Sequence, residues 1–176
     1  MHIYLIGFMG AGKTTIGKKL AAKLNRTFID LDEIIEKESC LAIPVIFEKY
    51  GESYFRKLET ECLIQVSQTK NKIIATGGGI VLFDKNRIIM IKTGYTIYLS
   101  WSPRILYHRI KKSTHRPLLN GINKNELLHY IEKLLDERRP FYEKADYVVY
   151  GDEGTTPART VEMILQNLPR DLIIGN

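Results

Sequence analysis

Short apolar runs alternate along the chain with longer stretches of helical periodicity. The first run, "HIYLI" (2–6), is rich in β-forming residues, stops at Gly7 and reads as a buried strand. From Lys13, "KTTIGKKLAAKL" sets Ile16, Leu20 and Leu24 at helical spacing. "TFID" (27–30), "KIIA" (72–75), "TIYLS" (96–100) and "YVVY" (147–150) are four further short strands, separated by helical patterns. Such alternation predicts an α/β fold with a parallel sheet covered on both faces. "ESYFRKLETECLIQV" reads as a helix burying Phe55, Leu58, Cys62 and Val66, with Arg56 one step off that stripe. In "NELLHYIEKLLDERRPFYEK" the stripe is Leu127, Leu128, Ile131, Leu134 and Leu135, and its next position is Arg138. Arg139 turns away from the stripe and is expected in solvent. "STHRPLLNGINK" (113–124) breaks the periodicity with Pro117, Asn120 and Gly121, as a flap between two helices would. The residues after Leu168 are expected to form a loose tail.

At 176 residues the chain reads as one domain with a real core, and 44% hydrophobic with 26% charged residues is ordinary for a soluble globular protein. No apolar run reaches membrane-spanning length, and the N-terminus has no basic-then-apolar signal pattern. Cys40 and Cys62 lack metal-ligand spacing and are expected to be reduced thiols in the cytoplasm. The net charge of +6 is unevenly placed, because no acidic residue lies between Lys85 and Lys124 while nine basic residues lie within that span. That stretch attracts anions. Its cations are scattered through apolar segments instead of forming an arm, which favours a nucleotide's phosphates over nucleic acid.

Gly7, Gly12, Lys13 and Thr14 fit the pattern G-x-x-x-x-G-K-S/T between a predicted strand and a predicted helix. Glycines let backbone N–H groups curl around a phosphate, and the helix adds its positive N-terminal dipole. Gly10, Ala11, Gly12, Lys13, Thr14 and Thr15 are thus the expected cradle for a nucleoside triphosphate. Lys13 would reach the β- and γ-phosphates, and the Thr14 hydroxyl would take one Mg²⁺ position. A GTPase switch is not indicated: no aspartate stands three residues before a glycine. "NKNE" (123–126) lacks the guanine-reading aspartate and opens a helix.

Asp30 and Asp32 sit at the carboxyl end of the second strand, the edge that faces the ligand crevice in open α/β sheets. Asp30-x-x-Glu33 is also a plausible helix-capping box, which would occupy one of the two aspartates. A second glycine cluster, "TGGG" (76–79), closes another strand. One positive-φ turn would need a single glycine or two, so three suggest close approach of a second substrate. An acceptor must come within about 3–3.5 Å of the γ-phosphate for in-line attack.

"GFMGAGKTT" (7–15), "DLD" (30–32), "FRKLE" (55–59), "TGGG", "RPLL" (116–119) and "RRPFY" (138–142) occur in one order over residues 1 to about 167. In that set the chain resembles shikimate kinase, a small P-loop kinase related to the nucleoside monophosphate kinases. The resemblance implies a three-layer α/β/α fold with a five-stranded parallel sheet in the order 2-3-1-4-5. It also implies an acceptor-binding helical subdomain at about 31–62 and a lid at about 111–124. The implied reaction moves the γ-phosphate of ATP to the 3-hydroxyl of shikimate, in the pathway to chorismate and the aromatic amino acids. Asp32 would contact the acceptor hydroxyls and could take the proton, while Asp30 helps hold Mg²⁺ through water. Gly77, Gly78, Gly79, Arg56 and Arg138 would bind shikimate, the arginines through its carboxylate. Arg116 in the flap would meet the transferring phosphoryl group, with Lys13 and Asp32 as the other catalytic residues. Arg109 and the backbone near Thr156 and Pro157 would face adenine. One departure is Ala75, at a position where some P-loop relatives carry a hydroxyl or an acid near the metal. The expected partners are ATP and shikimate, bound by a monomer, with no nucleic acid and no membrane. The competing expectations are a gluconate-type or nucleoside monophosphate kinase, and a noncatalytic ATP-binding module.

Overall fold

In the computed structural model of the protein, the described residues are 1–111, 122–123 and 126–173. Five parallel strands form one sheet: β1 (His2–Ile6), β2 (Thr27–Asp30), β3 (Lys72–Ala75), β4 (Gly94–Ser100) and β5 (Tyr147–Tyr150). Their order is β2-β3-β1-β4-β5, as the resemblance implied. β1 is central and buried along its whole length, with Ile3 beside Ile73 on one side and Tyr95 on the other. That explains its unbroken apolar run: a strand covered on both faces has no polar side to show. β4 starts two residues earlier than its apolar run suggests, at Gly94.

The helices are α1 (Lys13–Leu24), α2 (Leu31–Ser39), α3 (Ile43–Ser67), α4 (Asp84–Thr93), α5 (Pro103–Ile110), α6 (Leu127–Tyr142), α7 (Pro157–Asn167) and the short α8 (Arg170–Ile173). α1 and α7 pack together against one face of the sheet. α4 packs on β4 from the other side and is joined to α3 and α6 through a 3₁₀ turn at Ile80–Leu82. Right-handed crossovers require that split, because the chain moves one way from β1 to β2 and the opposite way from β3 to β4. α3 is bent at Gly51, whose φ of 79° and ψ of 172° no helix contains. The bend lets the segment before it and the segment after it face the same cleft.

Within the tail expected after Leu168, residues Arg170–Ile173 are instead tied down as α8. Leu172 in α8 is buried, and its carbonyl accepts a 2.6 Å hydrogen bond from Arg26 Nη2. One buried leucine and one charged donor suffice to order four residues that carry no long periodic signal. Among the described residues, no helix is long and apolar enough to cross a membrane.

Candidate active site

β1 and β3 are sheet neighbours, so the two glycine-rich loops that follow them open side by side at the carboxyl edge. Thr76 joins the two strand ends: its amide and hydroxyl both donate to Leu5 O, at 3.2 and 3.0 Å. Two clefts flank this edge, and Asp32 lines both.

The larger cleft, of about 550 Å³, is walled by the first loop from Gly10 to Thr15, by Asp30 and Ala75, and by Trp101, Arg109 and Pro157. The loop is built on left-handed glycines; Gly10 has φ 78°, and a Cβ there would lie 2.7 Å from the Ile110 side chain. Gly12, at φ 91°, hands the chain directly into α1. Lys13 Nζ donates to Gly7 O at 2.8 Å and Phe8 O at 3.0 Å, which lays the ammonium across the loop. Thr14 Oγ1 donates to Asp30 Oδ2 at 2.7 Å. The other oxygen, Asp30 Oδ1, accepts from Asp32 N at 3.1 Å and caps α2. Capping and the Thr14 contact thus share one carboxylate. The capping-box partner does not take part, since Glu33 pairs with Lys18 at 3.6 Å.

The Thr14 hydroxyl and Asp30 carboxylate are hard oxygen donors beside the phosphate loop, which suits Mg²⁺. Among the described residues no group of three or more His, Cys, Asp or Glu could by itself hold a metal ion. A Mg²⁺ here would therefore keep water and phosphate oxygens as most of its ligands, the usual arrangement for that ion.

Trp101 is an unforeseen wall of this cleft. Its Nε1 donates to Ala11 O at 2.9 Å, and the Arg109 guanidinium stacks 4.3 Å from its ring centre. Arg109 Nη1 reaches the same carbonyl at 3.4 Å, and burial lowers its pKa. The ring has room only because residue 151 is glycine: a Cβ there would lie 1.7 Å from it. Position offered the available signal, since Trp101 directly follows the fourth strand. Thr156 caps α7 through its hydroxyl, which accepts from Arg159 N at 3.2 Å, while Pro157 faces the cleft.

The second cleft, of about 350 Å³, lies between α2, both halves of α3, the glycine cluster and α6. Arg56, expected at the edge of its stripe, is 7% exposed. Its Nη2 meets Glu52 Oε1 and its Nη1 meets Glu59 Oε2, both at 2.7 Å. Ion pairing and cleft lining are therefore not alternatives at this arginine. Gly77, Gly78 and Gly79 line the cleft, and none has a positive φ. Their small size answers to neighbours: a Cβ on Gly77 would lie 1.9 Å from Glu59 Oε1, and one on Gly79 would lie 2.5 Å from Arg56 Cζ. The space expected for a substrate is thus shared with two buried side chains that press on the backbone. Arg138 is buried, with its Nη1 3.5 Å from where a Gly78 Cβ would stand and its guanidinium 5.7 Å from the Phe8 ring centre. Arg139 faces outward and pairs with Asp136 at 3.0 Å, as its helix position predicts.

Glu59 was legible only as an ion-pair partner, yet it is fully buried, and among the described residues its Oε1 has no hydrogen-bond partner. Burial pushes its carboxyl up to about 7; Arg56 and Arg138 oppose that shift, and nearby Asp32 adds to it. Arg56 has two carboxylates, and their attraction outweighs its own burial and raises its pKa. Glu59 shares Arg56 with Glu52 and is wholly buried, so its carboxyl is left able to change charge near neutrality. The missed signal was of the kind that exposed Arg138: Glu59 continues the Phe55, Cys62 and Val66 stripe, where an apolar residue belongs. Arg116 and the lid, apart from Lys111, Ile122 and Asn123, lie outside the described residues.

Comparison with known proteins bears on the same features. The family model for shikimate kinase matches residues 9–169. A shikimate kinase of Thermodesulfovibrio yellowstonii is 44% identical over 169 residues, covering 96% of this chain and 95% of the relative. One from Aquifex aeolicus is 41% identical over 175 residues, covering 99% of this chain and 100% of the relative. Among solved structures, Acinetobacter baumannii shikimate kinase in complex with shikimate superposes with a TM-score of 0.87 at 37% identity, covering 94% and 90% of the two chains. A deoxyadenosine kinase from M. mycoides, 20% identical with a TM-score of 0.59 over 94% and 97% of the two chains, shares the fold alone. A match over nearly the whole chain, on a fold whose two clefts meet at one aspartate, places this chain in the shikimate kinase family.

Proposed function

We infer that the protein is an ATP-dependent kinase that phosphorylates the 3-hydroxyl of shikimate, with ATP in the 550 Å³ cleft and shikimate in the 350 Å³ cleft. The observation that carries this assignment of clefts is Asp32, the carboxylate common to both. A group on that boundary can touch the acceptor hydroxyl while the γ-phosphate lies across from it. The hydroxyl oxygen attacks the γ-phosphorus, the bond from that phosphorus to the β,γ-bridging oxygen breaks, and ADP leaves. The hydroxyl proton passes to Asp32 or to water. Since the transition state is loose, holding the two oxygens in line matters more than the basicity of Asp32.

The first loop, from Gly10 to Thr15, cradles the phosphates. Lys13 exchanges its bonds to Gly7 O and Phe8 O for phosphate oxygens. When bound, Mg²⁺ neutralises charge on the β- and γ-phosphates, and Thr14 and Asp30 are the residues that would hold it. Arg109 and Pro157 flank adenine, and Arg116 supplies a further cation to the transferring group. In the second cleft Arg56 and Arg138 take the acceptor's carboxylate, while Gly77, Gly78 and Gly79 line its seat. Helices α2 and α3 act as the acceptor-binding subdomain, and residues 111–124 as the lid. Burial pushes the Cys62 thiol up to about 12, which leaves that cysteine inert.

Mg²⁺-dependent ADP release, measured with shikimate, quinate, gluconate, AMP and water as acceptors, tests the assignment. Turnover should require shikimate and be negligible with AMP or gluconate. Equal rates with AMP, or with water alone, would reject it.

A further inference from the structure

The stretch that brings Arg138 to the acceptor cleft also carries Tyr142, one turn further along α6. Its side chain is wholly buried and stacks on Tyr98, with ring centres 4.9 Å apart and planes 19° apart. A buried phenol needs a partner for its O–H, and this one donates to the carbonyl oxygen of Gly78, the middle glycine of the second cluster. A carbonyl can only accept, so the hydroxyl must keep its proton. Burial ensures this by raising the phenol's pKa, against a smaller opposing pull from Arg138.

Tyr142 does not line the cleft, whereas Gly78, Gly79 and Arg138 do. The hydroxyl therefore approaches the glycine turn from behind. A trans peptide points its N–H opposite to its C=O. With Gly78 O held toward Tyr142, the N–H of Gly79 is turned away from Tyr142, to the cleft side. The turn's own bonds run from Ile80 N to Gly77 O and from Leu82 N to Gly79 O, so they leave that N–H available. Arg138 stands one turn before Tyr142 on the same helix, with Nη1 close to Gly78. One hydroxyl thus ties α6 to the glycine turn and sets two donors at a fixed separation.

We propose that Tyr142 is a positioning residue of the acceptor site, whose hydroxyl holds the Gly78–Gly79 peptide so that the Gly79 N–H and Arg138 face the acceptor together. This rests on the reading that the 350 Å³ cleft takes shikimate. In Tyr142→Phe the ring stack remains and only the hydroxyl is lost, leaving the peptide free to rotate.

Titration calorimetry and steady-state kinetics on the wild type and Tyr142→Phe test the proposal. The shikimate Kd and KM should rise about ten-fold in the variant, the loss expected when a buried carbonyl loses its donor. The Kd for a nonhydrolysable ATP analogue should stay within about two-fold, because no phosphate contact is involved. A folded variant with lower Tm and unchanged shikimate Kd would overturn the positioning role, since that pattern is what a packing role produces. A wild type that fails to bind shikimate would overturn the assignment of the cleft itself. Should Tyr142→Phe not fold, the Gly79 amide resonance of the wild type decides: it should shift on titration with shikimate, and an unmoved resonance overturns the proposal.

Discussion

Replacing Glu59 by glutamine removes a buried group whose charge changes near neutrality, and the structure sets the direction of the effect. In the folded protein the Glu59 carboxyl rises from its ordinary 4.5 to about 7, chiefly because burial disfavours the anion. A folded value above the unfolded one means that the folded state binds this proton more tightly. The stability it contributes is complete below pH 4.5, declines as pH rises toward 7, and is gone above that. The separation corresponds to about 3 kcal/mol, most of which falls between about pH 5 and pH 8. The side chain is fully buried, so water screens its charge little. Urea unfolding of the wild type and Glu59→Gln across that range isolates the contribution, since all other titrations are common to both proteins. Relative to the wild type, the variant should gain stability steadily as pH rises and then level off. The same ionisation places a negative charge beside Arg56 and Arg138, so the wild-type KM for shikimate should climb through about pH 7 and that of the variant should not. A stability difference that stays flat with pH would refute the reasoning, because it would mean that Arg56 keeps Glu59 ionised throughout.

Lys13→Met should leave the fold intact and remove nearly all transfer, by about 3–4 kcal/mol of transition-state stabilisation; near-normal kcat in a folded variant would mean that the first loop is not the phosphate cradle. Gly79→Ala puts a methyl group 2.5 Å from Arg56 Cζ, so it should weaken shikimate binding by displacing that guanidinium while nucleotide affinity holds. Unchanged shikimate Kd in that variant, by calorimetry, would show that Arg56 is not needed where it stands. Arg138→Ala should raise the shikimate KM sharply, by about 2–3 kcal/mol for a charge-assisted contact, and Arg138→Lys should rescue little because it lacks the fork. Arg139→Ala, which loses only a half-exposed pair with Asp136, should be nearly silent, and the assignment fails if steady-state kinetics find it the more damaging of the two.

The strands and their order were readable because a doubly covered parallel sheet leaves an unbroken apolar signature, and because the motifs carried a known topology with them. Arg138 was readable for a local reason, a cation in register with an apolar stripe. Glu59 sits in the same kind of register on α3 but was hidden by a closer explanation, the Arg56 three residues before it. Trp101 and Gly151 form one fitted pair across 50 residues of chain, and no local pattern announces such an interlock. The glycine cluster lines the second cleft, but close approach of a substrate is an incomplete reason for its glycines. Small size there answers to Glu59 and Arg56, which only the packing of α3 against the turn brings into contact. Tethering of α8 was equally invisible, since Arg26 and Leu172 meet only after the sheet is closed.

β1 is the earliest strand in the chain and also the middle of the sheet. Its partners are made much later: Ile3 waits for Ile73 on one side and for Tyr95 on the other. During synthesis a largely apolar strand therefore leaves the ribosome before either partner strand exists, the circumstance in which nascent chains recruit chaperones or aggregate. The phosphate loop that follows it has the same dependence, because Gly7 packs against the backbone of Leu99 and Ala11 is braced by Trp101. Affinity for nucleotide cannot build up piecemeal as the chain lengthens. It arrives when β4 docks, so a ribosome stalled before that point carries a loop with the right residues and no grip.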